Sequence, residues 1–269
     1  MKHIGWIAAG AVAFLPIVHA EECTFNGFND GPLHGQQGWW VDRKDAAMGN
    51  FMVIDHLGIT QTMGDKALVI SGSDHFMKVY RNKNAVTWKP GDTAVFEMDF
   101  QIGLNGGHID KTKNGIAMLF GGPKFKTENR WVIGIGINPD GKWMIRGSAP
   151  HWENLPPLPA ETFVSRPPEG SSAVSPWYHL KFTTVKDQTR GVFRSTLQIT
   201  DFDGKTVVKH NFKTDPLEGE KSTLWDTETL NVAFSAKDDI NGLVCVDNVN
   251  LTSIKGDRKV TGLKDLLNP

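Results

Sequence analysis

The sequence predicts an all-β chain, folded as an antiparallel two-sheet β-sandwich of the jelly-roll kind. Three observations carry that prediction. Roughly a dozen segments of strand length alternate or run apolar along the chain. Gly, Pro, Asn and Asp clusters separate them, including Asp140-Gly141 and Asp203-Gly204, the dipeptides of tight hairpins. No segment shows a convincing 3.6-residue apolar period.

The clearest strand is Ala94 to Ile102. Ala94, Phe96, Met98, Phe100 and Ile102 fall on one face, and Val95, Glu97, Asp99 and Gln101 on the other. The first face is expected in the core. The second is acidic and polar, and is either a solvated sheet surface or the floor of a groove.

The other elements follow in order. Phe25 to Trp40, rich in glycine, is expected to be mostly turn. Phe51 to Ile54, Ala67 to Ile70 and Phe76 to Arg81 suit strands, and Pro90-Gly91 turns the chain into the Ala94 strand. Ile116 to Phe120 is a further apolar run. Trp131, Ile133, Ile135 and Ile137 share a face, opposite Gly134 and Gly136, and Asp140-Gly141 turns that run into Lys142 to Arg146. From Ala149 to Pro176 seven prolines and no periodicity predict a long loop. Trp177 to Val185, Val192 to Asp201, Lys205 to Phe212, Leu230 to Phe234 and Leu243 to Leu251 complete the strands. A polar tail follows from Lys255, with a weakly helical patch near Leu263 to Leu267. Neither a repeat nor a linker divides the chain, so residues 21–269 are expected to form one domain.

Residues 1–20 read as a signal peptide: Lys2 and His3, an apolar run from Ile4 to Val18, then Val18-His19-Ala20 with small residues where a signal peptidase cleaves. The run is shorter than the ~20 residues a membrane span needs. A secreted or periplasmic location is expected, without membrane insertion. The formal charge of −1 becomes −2 once Lys2 leaves, so there is no basic field for nucleic acid. Two cysteines, Cys23 and Cys245, stand near the ends of the folded region, and in an exported chain they are expected to form a disulfide.

The opening F-N-G-F-N-D-G-P-L-H-G-Q-Q-G-W, the central A-V-F-E-M-D-F-Q-I, W-Y-H-L-K-F and the closing V-D-N-V-N-L-T resemble the concanavalin A-like lectin and glucanase superfamily, whose sandwiches include laminin-G-like domains. The resemblance spans residues 21–269 and is one of layout. Sandwiches of that superfamily bind glycans, hydrolyse them, cleave them by elimination or only mediate adhesion, and the resemblance implies a structural calcium held by Asp247 with Asn26 or Asp30 nearby. Glu97-Met98-Asp99-Phe100-Gln101 is similar to the E-x-D-x-E strand of laminarinase-type members. Glu97 then matches the nucleophile and Asp99 the supporting carboxylate, but Gln101 stands in the acid/base place and cannot exchange a proton.

The residues themselves leave three functions open. A lectin-like polysaccharide-binding protein would use Glu97, Asp99, Gln101, Arg146, His179 and Lys181 for hydroxyls, with Trp152 or Trp177 stacking on a sugar ring. A polysaccharide lyase or glycoside hydrolase would use the same face, with Glu97, Asp99 and His179 as catalytic candidates; Tyr80 and Arg81 are further groups suited to lyase chemistry. A structural or adhesive surface protein would use neither.

Overall fold

The computed structural model describes residues 19–41, 48–55, 66–71, 77–81, 85–104, 117–122, 130–135, 142–146, 152–157, 173–214, 223–236 and 243–256. The signal-peptide run before His19, the Asp140-Gly141 turn and the tail beyond Gly256 lie outside the described residues. The strands begin with β1 (His19–Cys23), β2 (Gly31–Pro32), β3 (Trp39–Val41), β4 (Phe51–Asp55), β5 (Lys66–Ser71) and β6 (Met77–Arg81). Next come β7 (Val86–Thr87), β8 (Thr93–Leu104), β9 (Ala117–Gly121), β10 (Arg130–Ile135), β11 (Lys142–Arg146) and β12 (Trp152–Pro157). The last are β13 (Ala173–Val174), β14 (Tyr178–Lys186), β15 (Phe193–Asp201), β16 (Thr206–Lys213), β17 (Thr229–Ala236) and β18 (Leu243–Ile254). Among the described residues a short α-helix, α1 (Thr223–Asp226), precedes β17.

All strand pairings are antiparallel and form two sheets. The first runs β16-β15-β14-β8-β18-β5-β4-β2, with β1 also on β18 and β13 on β8. The second runs β12-β11-β10-β9-β17-β6-β3, with β7 on β17. Inner faces of both sheets feed one core, in which Phe51, Phe96, Phe100 and Phe182 of the first sheet join Trp39, Leu119 and Phe234 of the second. The expected sandwich is the one observed.

The alternation read in β8 fixes its orientation. Ala94, Phe96, Met98 and Phe100 are all fully buried, whereas Glu97 and Asp99 keep partly exposed side chains on the outer face. Cutting Phe96 or Phe100 back to alanine would cost about 3–5 kcal/mol, the transfer and cavity cost of a buried aromatic. The turn at Asp203-Gly204 joins β15 to β16 as expected, with Gly204 at φ 80°, where a Cβ would be strained.

Two expectations are corrected. The proline-rich stretch is not loop throughout: Trp152–Pro157 pairs with β11, and Ala173–Val174 pairs with β8. β12 is the edge of its sheet, where Pro156 and Pro157 leave no central ladder bond unmade. The Cys23–Cys245 bridge is not formed either. Cys245 is a free, buried thiol. Cys23 pairs with Val249, which lies four residues along β18 from Cys245. That separation is roughly 13 Å of strand, beyond the ~7 Å a disulfide spans. The main-chain ladder between β1 and β18 ties the chain's start to its end instead. Burial pushes the Cys245 thiol up to about 12, leaving it protonated and unreactive.

Candidate functional site

Register places a polar row across the outer face of the first sheet. Thr200 on β15 pairs with His179 on β14, His179 with Asp99 on β8, and Asp99 with Asp247 on β18. The neighbouring rung is Gln198, Lys181, Glu97 and Asn250. Directly opposed side chains on adjacent strands lie close enough to bond. His179 Nδ1 lies 2.8 Å from Asp99 Oδ1, and its Nε2 lies 3.8 Å from Glu97 Oε1. Lys181 Nζ meets Glu97 Oε1 at 2.8 Å. The hydrogen bond to Asp99 holds the His179 pKa above its ordinary value against the opposing effect of burial.

A bulge between Asp247 and Asn250 breaks the β18–β8 ladder and inserts one extra residue. Asn248 within it adopts φ 48°, a left-handed conformation that asparagine tolerates better than most residues. The bulge turns the Asn248 amide toward β8, where its Nδ2 donates to Asp99 Oδ2 at 2.7 Å. Both Asp99 oxygens are thus engaged, by His179 and Asn248. Asp247 is 1% exposed, and burial raises its carboxyl pKa; the Asn248 and Phe25 N–H groups oppose that shift, and the Asp99 charge adds to it.

Beside this row the sheet opens into a cavity of about 450 Å³. Asp99, His179, Thr200, Asp247 and Asn248 contribute its polar wall. Trp177 and Tyr178 line it from the start of β14, and Asp201, Phe202 and Gly204 from the β15–β16 turn. Phe202 is 70% exposed, an aromatic ring that no core contact accounts for. The indole Nε1 of Trp177 is buried and has no hydrogen-bond partner. Aromatic faces beside a carboxylate, an imidazole, a hydroxyl and an amide suit a sugar ring, whose C–H face stacks while its hydroxyls bond.

Of the residues expected in the site, Asp99, His179 and Trp177 line the cavity, and the Glu97–Lys181 pair borders it. Gln101 lies on the same face but is 6% exposed, its amide donating to the Ser175 carbonyl at 2.9 Å; that segment covers it. Arg146 and Trp152 do not join them. They pair with each other on β11 and β12, in the second sheet, and their side chains lie outside the described ones. Tyr80 and Arg81 also belong to the second sheet, on β6.

The three residues expected to hold calcium do not fit it as a set. Asn26 Oδ1 accepts the Lys66 N–H at 3.0 Å, and Asp30 Oδ1 pairs with Lys66 Nζ at 2.9 Å. The same ammonium donates to the Phe28 carbonyl at 2.8 Å, so a lysine already stands where a cation would meet Asp30. Asp247 Oδ2 is buried and has no hydrogen-bond partner. Among the described residues no three His, Cys, Asp or Glu side chains converge as a metal site. Hard cations need several oxygen ligands at once.

Sequence reasoning missed Phe202, Thr200 and Asn248. The signal for Phe202 is a large aromatic inside the tight turn Asp201-Phe202-Asp203-Gly204, where the core is out of reach. The role of Asn248 depends on the bulge, which no alternation pattern in L-V-C-V-D-N-V-N-L reveals.

No protein-family model matches the chain, and no curated protein matches it. Solved structures similar to it include lectin I-B4 from Griffonia simplicifolia, at 11% identity over 87% of this chain and 99% of that one, with a TM-score of 0.45. Lectin UEA-II complexed with galactose is similar at 10% identity, over 89% and 99%, with a TM-score of 0.46. A protein of unknown function from Shewanella oneidensis MR-1 is similar at 12% identity, over 96% and 100%, with a TM-score of 0.43. At these identities the likeness is one of layout, and it brings neither a sugar nor a site residue to this chain.

Proposed function

We propose that this protein binds a polysaccharide or oligosaccharide in the cavity on the outer face of the first sheet. The observation that carries this reading is the pairing, in one cavity, of Trp177 and the exposed Phe202 with Asp99, His179, Thr200 and Asn248. Asp99, His179 and Asn248 are fixed by cross-strand bonds before any ligand arrives, which limits the ordering cost of binding. Export through a leader cleaved after Ala20 would set the protein among extracellular or periplasmic glycans. Its near-neutral charge suits such partners better than nucleic acid, and none of the described helices is long and apolar enough to cross a membrane. Immobilised polysaccharides test the reading: wild type is retained on at least one, and Trp177→Ala loses about tenfold or more in affinity, the scale of a lost stacking anchor. No retention on any glycan would sink it.

One observation favours a second reading, catalysis on a glycan in the same cavity. The 2.8 Å Asp99–His179 contact orients an imidazole that is 43% exposed, as a general base requires. That reading predicts new reducing ends, or absorbance from an unsaturated uronate, lost in His179→Ala.

A further inference from the structure

The charge of the cavity narrows the ligand further than its shape does. Among the described residues three acidic ones line it, Asp99, Asp201 and Asp247, against one basic residue, His179, which is already paired with Asp99. Among the described residues no lysine or arginine lines it, and the neighbouring Lys181 is held by Glu97 at 2.8 Å. The carboxylates are not equally engaged. Asp99 uses both oxygens, on His179 and Asn248. Asp201 accepts the Lys205 N–H through Oδ1 at 2.8 Å and has no ion-pair partner among the described residues. Asp247, nearly wholly buried, has an Oδ2 that nothing bonds. Unpaired acceptor capacity beside aromatic rings is the environment in which an ammonium group is stabilised, by charge-assisted hydrogen bonds and by the faces of tryptophan and phenylalanine. Among the described residues an anionic sugar would meet acidic groups with no lysine or arginine free to offset them.

We propose that the cavity selects a saccharide bearing a free amino group, with its ammonium set against Asp201 between Trp177 and Phe202, and that it discriminates against uronates and sulfated sugars. The inference rests on the carbohydrate-binding reading. Asp201 stands at the rim, next in sequence to the exposed Phe202, where a charged group can arrive without the sheet opening. Asp247 lies deeper and keeps an acceptor oxygen, Oδ2, without a partner. The Glu97–Lys181 pair is neutral as a unit and leaves that balance unchanged.

Titration calorimetry with three oligosaccharides of equal length tests this: a glucosamine oligomer, its fully N-acetylated counterpart, and an oligogalacturonate. The expected result is affinity for the amine about tenfold tighter than for the acetylated oligomer, the scale of one charge-assisted bond, with the uronate weakest. The amine preference should shrink as sodium chloride rises, since partly exposed charges are screened. It should disappear in Asp201→Asn, which keeps an acceptor for the Lys205 N–H and so preserves the turn. Equal or tighter binding of the acetylated oligomer, or tightest binding of the uronate, overturns the amine preference while Trp177-dependent binding leaves the carbohydrate reading standing. If none of the three binds and wild type is also released from every immobilised polysaccharide, both are overturned.

Discussion

Residues at the site divide into those that touch solvent and those that hold them in place. His179 is held by Asp99, Asp99 is held by Asn248, and Asn248 is held by a bulge at φ 48°. This chain also moderates the direct opposition of Asp99 and Asp247 on adjacent strands, an arrangement that repels when both are ionised. Asn248→Gly keeps a residue able to adopt φ 48° but removes the donor to Asp99. It should leave stability within about 1 kcal/mol and weaken sugar binding several-fold, the worth of one hydrogen bond. Asn248→Val should do the opposite to stability, costing roughly 1–3 kcal/mol as a β-branched residue forced into the left-handed region. Thermal melts and binding isotherms on the two variants separate the roles. At this scale the sequence was a partial guide. Glu97, Asp99, His179 and Lys181 could be found because spacing of two on a strand places them on one face. Phe202 and Asn248 could not, because a turn and a bulge, and not a periodic pattern, aim them.

At the scale of elements, the strands were legible where one face is buried and the other is polar. The alternation in β8, β14 and β17 predicted Phe96, Phe100, Leu180, Phe182, Val232 and Phe234 as buried, and they are. Reading failed where prolines masked an edge strand, at β12, and where two half-strands share one partner. β18 carries β8 along one side, and on the other carries β5 up to Val246 and β1 from Val249. That division sets Cys23 and Cys245 apart, and only pairing register reveals it. A second element-level feature lies between the β14 end and α1. Lys186 is 2% exposed, with its Nζ 5.5 Å from the Trp88 ring and 5.1 Å from the Trp225 ring, donating to the Thr227 carbonyl at 2.7 Å. Burial lowers its pKa from 10.5 to about 8, against the attraction of Glu228, Asp226 and Asp92. Between pH 8 and 10.5 the unfolded chain therefore holds a proton there that the folded chain has released, so stability at this site rises with pH across that window. Relative to Lys186→Met, wild type should gain on the order of 3 kcal/mol over those pH units. Denaturant melts of both proteins at pH 7.5 and pH 10 read the difference, and a constant gap would contradict it.

At the scale of the molecule, the sandwich buries one polar-rimmed core and leaves one sheet face with a row of bonded polar groups beside a cavity. The fold was legible as a whole because strand alternation, turn chemistry and the lack of a helical period agree with one another. The site was legible only in its sheet component. Its aromatic component comes from the entry to β14 and from a turn, and Arg146 and Trp152, which composition alone brought into the same group, belong to the other sheet. The claim that unites these observations is that the cavity between Trp177 and Phe202 receives a sugar. Calorimetric titration of wild type, Trp177→Ala and Phe202→Ala with the oligosaccharide form of a retained polysaccharide tests it most directly. The predicted result is saturable binding by wild type that falls about tenfold or more in each variant, with both variants melting close to wild type. Unchanged affinity in both variants would contradict it.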